Sequence, residues 1–344
     1  MFITLHGHET DEAAFVIGMI SLGIEATAHS FGVGISTNEG KILANEKDMY
    51  KPKSGWGIIP MEAAEHHKNV KEELLQKALE KAKLKMKDID IISYSRGPGL
   101  PPCLHVGLNF AKELADKYKK PLVGVNHCVA HIEVGRLTSG YDDPVVIYVS
   151  GANTQIISFA SGRYRVFGEC MDMGIGNALD KFGRAVGLDF PQAPKIEQLA
   201  KGGKWIELPY VVKGMDLSFS GIVTECIKKS EQGAKLEDVC FSIQEVFFSM
   251  LTEVTERALA HLGKSEALLT GGVAANQRLQ EILDTMCKER GAKFAVVPKE
   301  LSGDQGAMIA WTGILAHKSG QVSEANDIDP RWRTDDVEIP WLNG

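Results

Sequence analysis

The 344-residue chain is 44% hydrophobic and 24% charged, an ordinary globular composition whose length fits two domains or one large duplicated unit. A net charge of −7 does not attract nucleic acid, so an RNA partner would need a local basic patch or help from other proteins. Six scattered cysteines without a C-x-x-C read as reduced thiols in a cytoplasmic protein and exclude a disulfide framework, and no apolar run approaches the roughly 18–20 residues that would span a bilayer.

The stretch 1–18 lacks the basic start of a signal peptide and carries Asp11 and Glu12. With Met19 opening the first strand-like segment, 1–18 is expected to be an upstream or non-native extension outside the fold. From Ile20, "ISLGIEATAHSFGVGIS" predicts two β-rich runs around a small-residue turn, and "ILANEKD" a third strand after the turn "TNEGK". An amphipathic helix over about 66–85 precedes strand "DIDIISYS". Then come the loop "RGPGLPP", a helix to about Lys119, strand "PLVGV", and a helix opening with "NHCVAHIE". His127 and His131 in that helix are four apart, so both rings leave one face. The pair alone fits half a metal site or two polar residues on a wet helix.

From Pro144 the same order returns. "PVVIYVSGANTQIISFA", turn "SGRY" and strand "RVFGE" repeat the three-strand meander. A long helix over about 236–261, strand "EALLT", loop "GGVAAN", a helix to about Arg290, strand "KFAVV" and helix "GDQGAMIAWTGILAHK" repeat the second part. The chain therefore reads as an α/β unit used twice, 19–143 and 144–318. Residues 170–235 have no counterpart and form an insertion in the second unit; 319–344 are a tail expected to pack back on the lobes. This duplicated order resembles the actin, sugar-kinase and Hsp70 (ASKHA) fold, two lobes with a nucleotide cleft between them.

The duplication bears on the histidines. The helix beginning near Asn126 corresponds to the one beginning near Asp304, so the repeat places both helix starts on the cleft. Asp304 is thereby a candidate to face His127 and His131, and Tyr148 lies on the first strand of the second lobe, just before the loop "SGANT". Two imidazoles, a carboxylate and a phenolate oxygen suit a divalent transition metal such as iron or zinc, and not calcium. A zinc-protease helix has a glutamate directly after its first histidine; here that position is Cys128, and Glu133 lies off the expected face.

Glycine-bearing loops follow strands or open helices at "RGPG", "SGANT", "MGIGNALDKFG" and "TGGVAAN". Their backbone N–H groups can cradle phosphate or carboxylate oxygens, although each alone reads equally as a tight turn. Asp180 and Asn276 are candidates for a ribose or base edge, Asp180 alternatively being a surface helix residue. No G-x-x-x-x-G-K-[ST] occurs, which excludes a P-loop enzyme.

Nine stretches occur in one family's order: "AAEHH", "RGPGLPPCLHVG", "NHCVAHIE", "YVSGANTQ", "GNALDKFGR", "PKIEQLA", "MDLSFSG", "LLTGGVAANQRLQ" and "GDQGAMIA". The chain resembles the catalytic subunit of the KEOPS complex, the archaeal and eukaryotic type of tRNA N6-adenosine threonylcarbamoyltransferase, a group once labelled O-sialoglycoprotein endopeptidase. The resemblance implies transfer of threonylcarbamoyl from threonylcarbamoyl-AMP to N6 of the adenosine following the anticodon in tRNAs reading ANN codons. It implies one divalent metal per subunit, iron ahead of zinc, on His127, His131, Tyr148 and Asp304. It places an adenine nucleotide, threonylcarbamoyl-AMP or ATP, against Tyr148, Val149, Ser150, Gly151 and Ala152, with Asp180, Ala193, Glu197 and Asn276. His66 and His67 in "AAEHH" are the only candidates offered for a general base, a solvated helix end being the alternative. Expected partners are tRNA, a small atypical protein kinase, a small dimerising subunit and a further accessory subunit, with no membrane. The sequence departs from the common pattern at His105, Ala152, Gln192, Ala193 and Gln305. The competing reading is an actin-like ATP-binding regulatory subunit or a small-molecule kinase; the histidine pair separates it from the transferase, since kinases of this fold need no such pair.

Overall fold

The computed structural model describes residues 18–53, 56–321 and 327–342. Apart from Gly18, the expected extension over 1–18 lies outside the described residues. The first lobe opens with strands β1 (Ile20–Glu25), β2 (Ser30–Thr37) and β3 (Ile42–Met49), followed by helix α1 (Pro60–Ala82). Strand β4 (Ile91–Gly97), helix α2 (Pro101–Tyr118), strand β5 (Leu122–Asn126) and helix α3 (His127–Ser139) complete it. Helix α1 starts six residues earlier than the periodicity suggests, because Pro60 occupies its first turn, where a missing N–H costs nothing.

The second lobe repeats the meander with β6 (Val145–Val149), β7 (Thr154–Ala160) and β8 (Arg163–Glu169). The unmatched stretch that follows forms helices α4 (Ile175–Ala185) and α5 (Gln192–Ala200), the short hairpin β9 (Val212–Lys213) and β10 (Asp216–Leu217), and helix α6 (Ser220–Glu231). Then come α7 (Leu236–Leu262), β11 (Glu266–Thr270), α8 (Gln277–Arg290), β12 (Lys293–Val296), the single turn α9 (Lys299–Ser302) and α10 (Gly306–Lys318).

The two large sheets have one topology. The first runs β3-β2-β1-β4-β5 and the second β12-β11-β6-β7-β8, so β6, β7, β8, β11 and β12 occupy the places of β1, β2, β3, β4 and β5. In each, the meander is antiparallel and the later two strands join parallel through helical crossovers. The fold is therefore the duplicated α/β architecture that the repeat predicts.

Three apolar clusters hold it together. One joins the first sheet to α1 and α2, and one joins the second sheet to α4–α8. The third lies between the sheets and is built from α3, α10 and the facing strands. In this middle layer the helices change sides: α3 packs on β11 of the second sheet, and α10 packs on β1 and β2 of the first. The start of α10 rests on a glycine floor. A Cβ on Gly34 would stand 2.0 Å from the Ala307 nitrogen, and one on Gly23 would stand 2.2 Å from the Gly306 carbonyl oxygen, so side chains there are excluded by the helix backbone. The exchange brings the N-termini of α3 and α10 together from opposite halves of the chain.

The tail lies across this layer. Asp329 N–H donates to the Arg96 carbonyl, Asn126 Nδ2 to the Trp332 carbonyl, and Trp341 Nε1 to Glu133 Oε1 at 2.9 Å. Glu133 is 1% exposed and also accepts from Tyr164 Oη and Arg136, which is why this acidic residue of α3 can be buried away from the histidines.

Candidate active site

Two helix starts make the centre of the site. Asn126 caps α3, its Oδ1 accepting from Val129 N–H, and Gln305 caps α10, its Oε1 accepting from Met308 N–H. Gln305 thus performs the capping its counterpart Asn126 performs, and Asp304 and His127 are held next to their caps. Nε2 of His131 lies 3.3 Å and Nε2 of His127 3.5 Å from Oδ1 of Asp304. Ligands about 2.1 Å from one metal ion stand about 3.0–3.5 Å apart, so the three atoms have the separation of a first-row metal's ligands. His127, His131 and Asp304 together form a group able to hold a metal ion.

Tyr148 completes the walls. Its ring lies 5.2 Å from that of His131, and its hydroxyl, beside Cys128 and Ser150, is buried without a hydrogen-bond partner. Buried hydroxyls are otherwise paired, and an orphaned phenol oxygen next to two imidazoles and a carboxylate has the surroundings of a cation ligand. The residues present therefore fit a divalent transition metal.

The electrostatics follow from the burial. Burial works against charge on His127, but the carboxylates of Glu25 and Asp304 outweigh it and raise its pKa to about 9. Burial dominates at His131 and lowers its pKa, although Asp304 opposes that. Burial also opposes charge on Asp304, yet the two histidines hold its carboxyl far below the usual range. Burial pushes the Tyr148 phenol well above its ordinary value, so only a bound cation would release its proton near neutral pH.

The glycine loops sit beside this centre. Ser150 N–H donates to the Asn153 carbonyl, and the N–H groups of Gly176 and Asn177 donate to the Ser150 and Gly151 carbonyls. The turn is thereby clamped to the start of α4. Gly151 and Ala152 are exposed, whereas the Val149 side chain is in the second-lobe core. On α4, the Asp180 carboxylate lies against the backbone N–H groups of Gln192 and Ala193, and burial raises its pKa. Glu197 Oε1 accepts from Gln277 N–H, and a cavity of about 370 Å³ is lined by Glu197, Lys201, Gln277 and Lys299. Asn276 has a structural duty: its Oδ1 caps α8 through Leu279 N–H and its Nδ2 donates to Gln244.

His66 and His67 lie on α1, within the first lobe. His67 is fully buried, with Nε2 2.9 Å from the Ala28 carbonyl and Nδ1 3.4 Å from Nδ1 of His66. His66 Nε2 lies 3.0 Å from Asp48. Both rings are engaged with the lobe itself, and the structure does not bring them to the metal-ligating group. His105 is exposed on α2.

Two residues escaped the sequence reading. Glu25, at the end of β1, accepts from His127 Nδ1 at 2.9 Å. His29 reaches across to the second lobe, its ring 6.0 Å from that of Phe190 and close enough to act on Asp180 and Asp304. Neither belongs to a spacing pattern; "GIEATAH" places them only once the strand and its following turn are known to end at the cleft.

Comparison with known proteins bears on what this cleft does. The family profile of tRNA N6-adenosine threonylcarbamoyltransferase matches residues 40–311. The enzyme of that name from Methanopyrus kandleri is 52% identical over 334 residues, covering 94% of this chain and 96% of its own. The chain belongs to the tRNA N6-adenosine threonylcarbamoyltransferase family. The Archaeoglobus fulgidus member is 55% identical over 326 residues, covering 94% of this chain and 100% of its own. A probable bifunctional tRNA threonylcarbamoyladenosine biosynthesis protein of Methanocaldococcus jannaschii is 51% identical, and the match covers 94% of this chain but 61% of that longer protein. These relatives make the chain an archaeal-type acyltransferase of tRNA threonylcarbamoyladenosine formation. Among solved structures, HypF of T. kodakarensis superposes with a TM-score of 0.61 at 16% identity, over 90% of this chain and 50% of that one. Component A of the Acidaminococcus fermentans (R)-2-hydroxyglutaryl-CoA dehydratase gives 0.54 at 14% identity, over 86% and 98%. At such identities these two likenesses speak for the shared two-lobed fold alone. Among the described residues, no helix is long and apolar enough to cross a membrane.

Proposed function

We propose that this transferase takes threonylcarbamoyl-AMP as donor and the N6 amine of the adenosine following the anticodon, in tRNAs reading ANN codons, as acceptor. One observation carries the reading: the α3 and α10 starts converge on a ligand set whose neighbouring phenol oxygen has no partner, beside the turn that exposes Gly151 and Ala152. His127, His131, Tyr148 and Asp304 would hold a divalent metal, iron ahead of zinc. Such an ion supplies Lewis acidity to a carbonyl or phosphate oxygen. The chain's own residues bind and orient. The peptide groups of Ser150, Gly151 and Ala152 face the donor's phosphate, and Asp180, Ala193, Glu197 and Asn276 form the wall for its nucleoside. The new bond joins N6 to the carbamoyl carbon, the carbon–oxygen bond to the phosphate breaks, AMP leaves, and the amine gives up a proton. An exocyclic amine is a poor nucleophile, so holding both substrates in line supplies much of the acceleration.

The reading extends to assembly in a cytoplasmic KEOPS complex with a small atypical protein kinase, a small dimerising subunit and a further accessory subunit. The length of the bifunctional relative beyond the matched part supports a second activity working beside this one. The test is incubation of the protein with threonylcarbamoyl-AMP, unmodified tRNA and the candidate partners, followed by nucleoside analysis. Modified adenosine is expected with the wild type and absent with His127→Ala/His131→Ala protein. Full modification by that variant would overturn the site assignment.

A further inference from the structure

We propose that Glu25 selects which nitrogen of His127 is offered to the metal centre, and is a positioning residue for the transfer reaction. The inference rests on the metal reading above and concerns a residue outside the ligand set. Glu25 is 0% exposed, at the end of a strand paired on both sides, antiparallel with β2 and parallel with β4. Its Oε1 accepts from Thr27 N–H at 2.8 Å and from Thr27 Oγ1 at 2.5 Å. Its Oε2 lies 2.9 Å from His127 Nδ1, one hundred and two positions away in sequence. Among the described residues no lysine or arginine pairs with it; His127 is its ion-pair partner.

A buried carboxylate without a lysine or arginine is costly, and a glutamine of the same shape would pack as well. What only the carboxylate provides is a pure acceptor at His127. It holds a proton on Nδ1 and leaves Nε2, 3.5 Å from Asp304, as the nitrogen that a metal ion can take. His131 has no such partner, since its Nδ1 is buried without a hydrogen bond. Of the two rings, only His127 has its ligating atom imposed by the protein. Carboxylate partners of this kind typically change metal affinity by about 10–100-fold.

Glu25→Gln inverts the contact. Thr27 N–H can only donate, so the glutamine oxygen stays on that side and its NH₂ faces Nδ1. Only the longer 3.3 Å contact with Thr27 Oγ1 is then left to hold a proton on Nδ1; Nδ1 accepts from the glutamine instead, and the imidazole proton moves to Nε2, where it blocks ligation. The experiment measures zinc affinity of full-length wild type and Glu25→Gln, melting of both metal-free proteins, and the ¹⁵N shifts of His127 in the zinc-loaded wild type. Expected are ligation through Nε2, a loss of zinc affinity of about 10–100-fold in the variant, and nearly unchanged metal-free melting. Ligation through Nδ1 in the wild type would overturn the proposal even if the variant fails to fold. Nε2 ligation with undiminished zinc affinity in Glu25→Gln would overturn it while leaving the metal reading intact. A wild type that binds no zinc and no iron would overturn both.

Discussion

The Tyr148 hydroxyl is buried and makes no well-formed hydrogen bond, although Ser150 and Cys128 stand beside it; an unpaired buried hydroxyl costs about 1–3 kcal/mol. Its removal should therefore be free or favourable in the metal-free protein and harmful only where a metal is bound. Tyr148→Phe is expected to leave metal-free stability unchanged or raise it by about 1 kcal/mol, while weakening metal binding; denaturant unfolding beside metal titration separates the two, and equal metal affinity would remove Tyr148 from the ligand set. His67 makes a different prediction. Burial lowers its pKa from 6.5 to about 4, against the help of the Ala28 carbonyl. The folded state thus refuses a proton that the unfolded state accepts, so stability is complete above pH 6.5 and declines as pH falls toward 4. The contribution reaches about 3 kcal/mol. His67→Gln should flatten this part of the unfolding free energy against pH.

At the scale of elements, the contact between α10 and the first sheet places the carboxylate of the site. Asp304 stands two residues before that helix, whose backbone lies directly on Gly23 and Gly34. Gly34→Ala must displace α10, since the added carbon would sit 2.0 Å from the Ala307 nitrogen and 2.4 Å from the Gly306 carbonyl carbon. A cost of about 3 kcal/mol is expected, the upper part of the range for overpacking. Metal affinity should fall with it because Asp304 moves; calorimetric melting with metal titration tests both, and a variant of full stability would show that the helix has room to retreat. Helix α3 is anchored by its own Glu133, which accepts from Tyr164 and from Trp341 of the tail that crosses it.

For the whole molecule, the two-lobed cleft decides between transfer and the old peptidase label. Peptide hydrolysis at a metal needs a base for the proton of the attacking water, and the residue after the first histidine is Cys128, whose thiol burial pushes up to about 11. Pure protein is expected to show no proteolysis, and Asp304→Ala to lose tRNA modification while keeping its fold, as its side chain is 18% exposed at the cleft and not part of a core. Proteolysis that persists through purification and vanishes in Asp304→Ala would reverse that assignment. The net charge of −7 leads to a further expectation. The isolated chain should bind tRNA weakly, with a log-log salt slope shallower than about −3; tight binding with a slope near −6 would mean that this chain alone neutralises many phosphates.

By itself the sequence determined the repeated order of strands and helices, because hydrophobic alternation and its turn residues are local and occur twice in the same succession. It also made His127 and His131 neighbours, since one helical turn separates them whatever the rest of the chain does. The repeat pointed to Asp304 and Tyr148 as their companions, because equivalent elements end at the same cleft. Only the tertiary structure decided that α3 and α10 exchange sheets, that His66 and His67 are engaged within their own lobe, and that the Asn276 side chain caps α8. It alone revealed Glu25 behind His127. A strand pattern shows which face a side chain takes; which donor from a hundred residues away will meet it depends on packing between elements, which no local periodicity encodes.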